Sequence, residues 1–253
     1  MSVHERSKGY HQGAQDYVAG RPGYPPEAVF WLRDVIGVGP GRRVLEIGAG
    51  TGKFIPSLQA AGGEIIAVEP IAEMRDQLQK TFPGVVALAG SAEELSLPDA
   101  SVDAVVCAQA FHWFATAKAL GEMHRVLRPG GTLGLIWNGR DETVPWVAAL
   151  SEITDRLEGD TPRYRSGTWR TVLTASPFEL VDERHGRHAH VGTAEEVVLK
   201  RTMSVSFIAG LPSDRRAEVE RDVRELIERT PQLADPCVVE FPYKTSMYAF
   251  RAL

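Results

Sequence analysis

The chain has 253 residues, 43% of them hydrophobic and 24% charged, an ordinary balance for a globular fold with a sizeable core. Its formal net charge of −5 disfavours a nucleic-acid backbone as the main partner, because that affinity is built from clustered Lys and Arg. No apolar stretch approaches the roughly 18 residues of a membrane span, and no secretory pattern is visible at the start.

Two distant cysteines, Cys107 and Cys237, make neither a disulfide framework nor a zinc spacing, so free thiols and a cytoplasmic location are expected, with no metal site. Pro25 to about Val38 reads as an amphipathic helix with a proline-rich entry and a glycine-rich exit. RRVLEIG (42–48) follows as a short buried strand. Helical spacing then runs through Phe54, Leu58 and Ala61 until Gly62-Gly63 stops it. EIIAVEP (64–70) is a second strand, and Ile71, Met74 and Leu78 share one face of the next helix. VVALAG (85–90), SVDAVVCAQA (101–110) and TLGLIWN (132–138) predict three more strands. Residues 115–128 are helical between the last two, with Arg128-Pro129-Gly130-Gly131 ending the segment. Strand and helix in alternation predict a parallel sheet covered on both faces.

Beyond residue 140 the regularity fades. A helix is expected at 144–158, a polar arginine-bearing stretch at 159–170, a strand near 178–184, and helices at 194–209 and 213–229. From Val239 the alternating tail reads as a closing edge strand. No linker marks a boundary, so a single domain is expected. Residues 10–140 form its cofactor-binding core, 141–235 a substrate cap with sheet-completing strands, and 236–253 the closing strand.

VLEIGAGTGKF (44–54) carries three alternate glycines and then a lysine. A P-loop fails twice, since Ile47 stands where its first glycine belongs and Phe54 where its hydroxyl belongs. The dinucleotide fingerprint would use Gly48, Gly50 and position 53, which is Lys53, and so lacks its third glycine. Glu46, just before the loop, would repel a pyrophosphate and attract an ammonium group.

This stretch resembles the first motif of the class I S-adenosylmethionine-dependent methyltransferases. The resemblance implies that Gly48, Ala49, Gly50 and Gly52 wrap the methionine moiety while Glu46 helps hold its amino group. Glu69, followed by Pro70, stands where the family carries an acidic residue bonding both ribose hydroxyls, and a carboxylate accepts two hydrogen bonds at once. Met74 matches the residue lying against the adenine. Ser91-Ala92-Glu93 matches the adenine-edge segment, with Ser91 in place of the usual aspartate. SVDAVVCAQAFHWF, which contains Gln109, resembles the fourth strand and its exit, and RVLRPGGTLGLIWN the helix end and fifth strand. Upstream, YVAGRPGYP (17–25) is similar to a segment of the subgroup best known for methylating trans-aconitate. There the tyrosine and arginine, here Tyr17 and Arg21, approach the methionine end.

The resemblance implies a Rossmann-like α/β fold, with a mostly parallel seven-stranded sheet, helices on both faces and a C-terminal helical cap. It implies S-adenosyl-L-methionine as cofactor, S-adenosyl-L-homocysteine as product, and a small-molecule methyl acceptor, with a carboxylic acid favoured. His112, Trp113 and Arg140 follow the fourth and fifth strands and are expected at the acceptor. If the acceptor must lose a proton, His112 or Tyr17 is the place to look for the base. A non-catalytic S-adenosylmethionine-binding regulator and, less favoured, a nicotinamide-dependent oxidoreductase stand as alternatives.

Overall fold

The computed structural model describes residues 21–234 and 237–253. Tyr17 therefore lies outside the described residues. Seven strands form one sheet: β1 (Arg43–Ile47), β2 (Glu64–Val68), β3 (Val86–Leu88), β4 (Val102–Ala108), β5 (Leu127–Arg140), β6 (Phe178–Gly192) and β7 (Val239–Ala252). Their order is β3-β2-β1-β4-β5-β7-β6. The first five run parallel, and β7 lies antiparallel between β5 and β6.

The central strands are near-continuous apolar runs because both their faces are covered. Leu45, Ile47, Val105, Cys107, Leu133, Leu135 and Trp137 join the core on one side of the sheet. The alternate residues Val44, Ala104, Val106 and Ile136 join the core on the other. Helix α1 (Glu27–Trp31) continues into a wider-wound turn, Leu32–Ile36, and Gly37 ends it with φ of 79°. It packs with α2 (Ile55–Ala61) on the second side. Next come α3 (Ala72–Thr81) and α4 (Ala117–Val126), the latter capped by the Thr116 hydroxyl, which accepts from the Ala119 N–H. Leu120 and Met123 seat α4 on the first side. Past the sheet's fifth strand, α5 (Pro145–Asp155) and α6 (Ser213–Arg229) build a third core with residues 195–209 and the start of β7.

Four boundaries differ from those expected. Arg128-Pro129-Gly130-Gly131 does not end a helix but already belongs to β5, since Leu127 pairs with Val102 across a register shift. The stretch 194–209 runs as wider-wound helix over Glu195–Lys200 and continues through Arg201–Met203, and the extended Val205 separates it from Ser206–Ala209. Strand β6 continues to Gly192 rather than stopping near 184. The closing strand is not an edge: β7 fills the gap between β5 and β6, and β6, mostly exposed and rich in charge, is the edge.

Candidate functional site

The chain departs from β1 toward β2 and β3 on one side, and returns to β4 and β5 on the other. The carboxyl ends of β1 and β4 therefore flank a topological switch point, where open α/β sheets bind ligands. A cavity opens there, lined by Glu46, Gly48–Thr51, Lys53, Glu69–Ile71, Met74, 90–93, 108–110 and 113–114, together with Arg21, Tyr24 and Asn138.

The glycine loop owes its shape to left-handed backbone: φ is 71° at Gly48, 57° at Gly50 and 86° at Gly52. The three glycines serve different ends. A Cβ on Gly48 would stand 2.6 Å from the Ala110 Cβ, so strand β4's exit must pass close by. A Cβ on Gly52 would meet the Phe82 ring at 2.8 Å. Gly52 is thus a packing glycine and, unlike Gly48, Ala49 and Gly50, does not line the cavity. Beside Gly50 the nearest atom is the Met74 sulfur at 4.0 Å, which leaves an open cradle.

Two carboxylates lie buried in this cavity, Glu46 at 1% and Glu69 at 4% exposure. Glu69 is held rigidly, its Oε2 accepting from the Gly50 N–H at 2.8 Å and its Oε1 from the Ile71 N–H at 2.9 Å. Each oxygen keeps a further lone pair. Burial raises its pKa, and those two N–H groups and Arg75 only partly offset this. Glu46 has no such relief. Its Oε2 is buried with no hydrogen-bond partner, and burial followed by the charge of Glu69 pushes its pKa up to about 8. A buried acceptor of this kind calls for a donor, and a cation answers it best. Pro70, Met74, Ser91, Ala92 and Glu93 line the same cavity. An amino acid joined to a nucleoside fits this donor set: its ammonium at Glu46, its hydroxyls at Glu69.

A second cavity shares Arg21, Gln109, Trp113 and Asn138 with the first, and adds His112, Arg140, Arg163, Tyr164 and Arg201 among others. The shared wall is strained. Gln109 is left-handed at φ 57° without being glycine, and its amide donates to the Asn138 carbonyl at 2.9 Å. The Asn138 amide in turn donates to Gly23 O at 2.9 Å, and its oxygen accepts from Thr245 at 2.6 Å. The Arg21–Tyr24 segment is thus tied to β5 and β7, and Tyr24 meets Phe54 edge-on at 4.6 Å.

His112 belongs to the second cavity, where the Trp137 indole donates to its Nδ1 at 3.1 Å. An indole N–H can only donate, so Nδ1 carries no proton and Nε2 carries the one the neutral ring has. Burial, then the charges of Arg163 and Arg21, lowers its pKa to about 3. The ring is a fixed neutral donor whose Nδ1 lone pair is already engaged.

The structure thus brings Arg21, Glu46, Gly48, Ala49, Gly50, Glu69, Pro70, Met74, Ser91, Ala92, Glu93 and Gln109 around one cavity. It places His112 and Arg140 around the next, with Trp113 between them. Sequence reading missed Asn138, Arg163 and Arg201 as site residues, and also Lys53, which lines the first cavity. Asn138 ends a run that already pointed to the carboxyl edge, while Arg163 lies in the polar stretch 159–170 and Arg201 in the expected helix 194–209, neither of which pointed to the site.

A methyltransferase-domain family matches residues 45–135, the span from the glycine loop to the middle of β5. An uncharacterised methyltransferase-like protein of Schizosaccharomyces pombe is 38% identical over 243 residues, 96% of this chain and 94% of that one. An uncharacterised methyltransferase of Mycobacterium tuberculosis is 43% identical over 229 residues, covering 90% and 89%. Among solved structures, a candidate type II methyltransferase from Anaeromyxobacter dehalogenans superimposes with a TM-score of 0.62 at 25% identity, over 91% of this chain and 96% of that chain. These relatives of matching length, together with the family match, establish that the chain belongs to the class I S-adenosylmethionine-dependent methyltransferases.

Proposed function

We propose that the first cavity holds S-adenosylmethionine and the second a small-molecule acceptor, with a carboxylic acid as the favoured class. Bound, the cofactor supplies an electrophilic methyl group on a sulfonium centre. Glu46 takes its amino group, Gly48–Gly50 give its methionine part room, Glu69 accepts from its ribose, and Met74 with Ser91, Ala92 and Glu93 surrounds its base. Arg21, Gln109, Trp113 and Asn138 form the shared wall across which the transferred group passes. Residues 10–140 serve as the cofactor core, and 141–235 as the cap that closes the acceptor side with Arg163 and Arg201.

One observation carries the acid reading. His112, a ring at the acceptor side, is held neutral with Nδ1 engaged, so it donates and does not abstract. A carboxylate acceptor is already ionised at neutral pH and asks for no base. What it asks for is alignment and exclusion of water, and orientation of this kind contributes about 7–11 kcal/mol in favourable cases. The net charge of −5 also favours a small molecule over a nucleic acid.

Incubation with cofactor labelled in its methyl group and pools of small acids, phenols and amines tests this. Label is expected in base-labile methyl esters. Label confined to phenols or amines overturns the acid reading and leaves the reaction class standing.

A further inference from the structure

Strand β6 leaves one end of the sheet open. It runs 15 residues from Phe178 to Gly192, and among the described residues no strand lies on its outer side. Protected edges are short or covered, because an unpaired row of N–H and C=O groups is a template for another strand. Leu180, Val181 and Val191 are exposed along it, at 46%, 41% and 56%. Its charges are ordered rather than mixed. The acids Glu179, Asp182 and Glu183 occupy the first half, and every ionisable residue from Arg184 to Gly192 is a base.

Arg187 is the residue this edge leaves least balanced. It stands directly across from Lys244 of β7, and like charges opposite one another in a sheet repel. Lys244 has Asp141 at 3.0 Å, whereas Arg187 is exposed and has no ion-pair partner among the described residues. Glu183 lies on the same face, its carboxylate 3.3 Å from Arg170 and 3.2 Å from His185. An antiparallel copy of β6 brings a Glu183 to each Arg187. Side chains share a face across a ladder, so a twofold axis passes through a residue of β6 rather than between two. At Glu183 or Arg184 the axis sets like charges against each other, and at Gly186 it sets Arg184 against His188 and His185 against Arg187. At His185 it sets Glu183 opposite Arg187 twice, and Asp182 opposite His188.

We infer that β6 is the docking edge for a second copy of this chain, the two strands pairing antiparallel about a twofold axis at His185 to join their sheets into one. The order of charges selects this partner. A parallel copy in register meets acid with acid and base with base, while the antiparallel copy meets acid with base along both halves. Leu180 and Val181 come to the same end of the ladder as Val191 of the second copy, which covers apolar surface on both. An isologous contact of this kind closes on itself and leaves no β6 edge for a third chain. The His185 ring also lies 3.0 Å from the Ser246 hydroxyl, and Ser246 lines the second cavity, so the seam reaches the wall of that cavity in both copies.

Sedimentation velocity of the full chain, over a dilution series at low and high salt, tests this. A dimer is expected at low salt, with association weakening as salt rises. Arg187→Glu sets Glu183 opposite a second acid, and Glu183→Arg sets Arg187 opposite a second base. Each is expected to weaken association at least tenfold, because the twofold axis repeats the change. An equimolar mixture of the two variants restores both pairs and is expected to recover the dimer as a heterodimer. A cooperative thermal transition by circular dichroism shows that each variant is folded. Hydrogen exchange of the unaltered protein reads the same edge without any substitution: amides of β6 are expected to gain protection as the protein is concentrated. A monomer at every concentration, a dimer that either folded variant keeps, a mixture that fails to associate, or exchange in β6 that ignores concentration overturns the inference.

Discussion

Glu46 is a carboxylate whose charge depends on what shares its cavity. Alone, it holds a proton up to about pH 8, against 4.5 for an ordinary glutamate. A raised folded pKa means stability that is complete below pH 4.5 and is lost as pH rises through 8, so the ligand-free protein weakens toward alkaline pH. A ligand ammonium selects the ionised form. Binding of S-adenosylhomocysteine is therefore expected to release a proton between about pH 5 and 8, with affinity rising as much as tenfold per pH unit and levelling near 8. Calorimetry at pH 6.5 in two buffers of different ionisation enthalpy measures that proton, and its absence would remove Glu46 from the ammonium. His112 has the opposite sign. Its pKa falls to about 3 from 6.5, so it contributes stability above pH 6.5 that is lost as pH falls toward 3. Nitrogen-15 spectra should show a neutral ring protonated on Nε2 throughout pH 5–8, and an imidazolium signal near pH 6 would contradict this. Glu46 and Glu69 were legible in the sequence because each sits at a strand end at fixed spacing from a glycine loop. The state of His112 was not, because it depends on Trp137, which arrives from the neighbouring strand.

Between β1 and α2, the glycines separate binding from packing. Alanine at either Gly50 or Gly52 carries the left-handed cost of about 1–2 kcal/mol. At Gly52 the Phe82 ring, 2.8 Å from the added Cβ, adds overpacking of about 1–3 kcal/mol. Gly52→Ala is thus expected to lower the melting temperature more than Gly50→Ala, while the folded protein keeps its affinity for S-adenosylhomocysteine. Gly50→Ala should lose at least tenfold in that affinity, because its methyl group enters the cradle beside Met74. Equal effects of the two variants on both measurements would contradict the distinction. The strand–helix alternation through β5 was readable from periodicity, since each element spans a whole apolar run. The place of β7 was not. An alternating tail looks the same at the edge of a sheet and inside it, and only the long, charged β6 settles which strand is outermost.

Taken whole, the molecule depends on its last strand to complete both the sheet and the cap. Strand β7 pairs with β5 from Thr132 to Arg140 on one side, and with β6 along its length on the other. Its Met247 and Ala249 enter one core, Tyr248 and Phe250 another, and Phe241 and Tyr243 the third. Fully burying each large apolar side chain among these is worth about 1.5–3 kcal/mol, a sum comparable with the whole stability of a domain. A chain ending at Pro177 should therefore show no cooperative thermal transition by circular dichroism, and a sharp transition near that of the full chain would refute this. The second cavity was only partly legible for the same reason of scale. Arg140 was readable from its place after β5, but Arg163 and Arg201 come from separate segments beyond the sheet's fifth strand, and only the fold brings them to one cavity.

The position of β7 also sets an order of events during synthesis. Among the described residues, strand β6 pairs only with β7, and β5 shares its far side with no other strand. On the ribosome, β6 thus emerges with no partner strand, and its pairing is complete only when Ala252 is made, roughly 60 residues after Gly192. At about 5–20 residues per second that interval is about 3–12 s, in which an unpaired edge is open to the wrong neighbour. The charges along β6, among them Glu179, Asp182, Glu183, Arg184 and Arg187, guard the nascent chain against sticking through that interval.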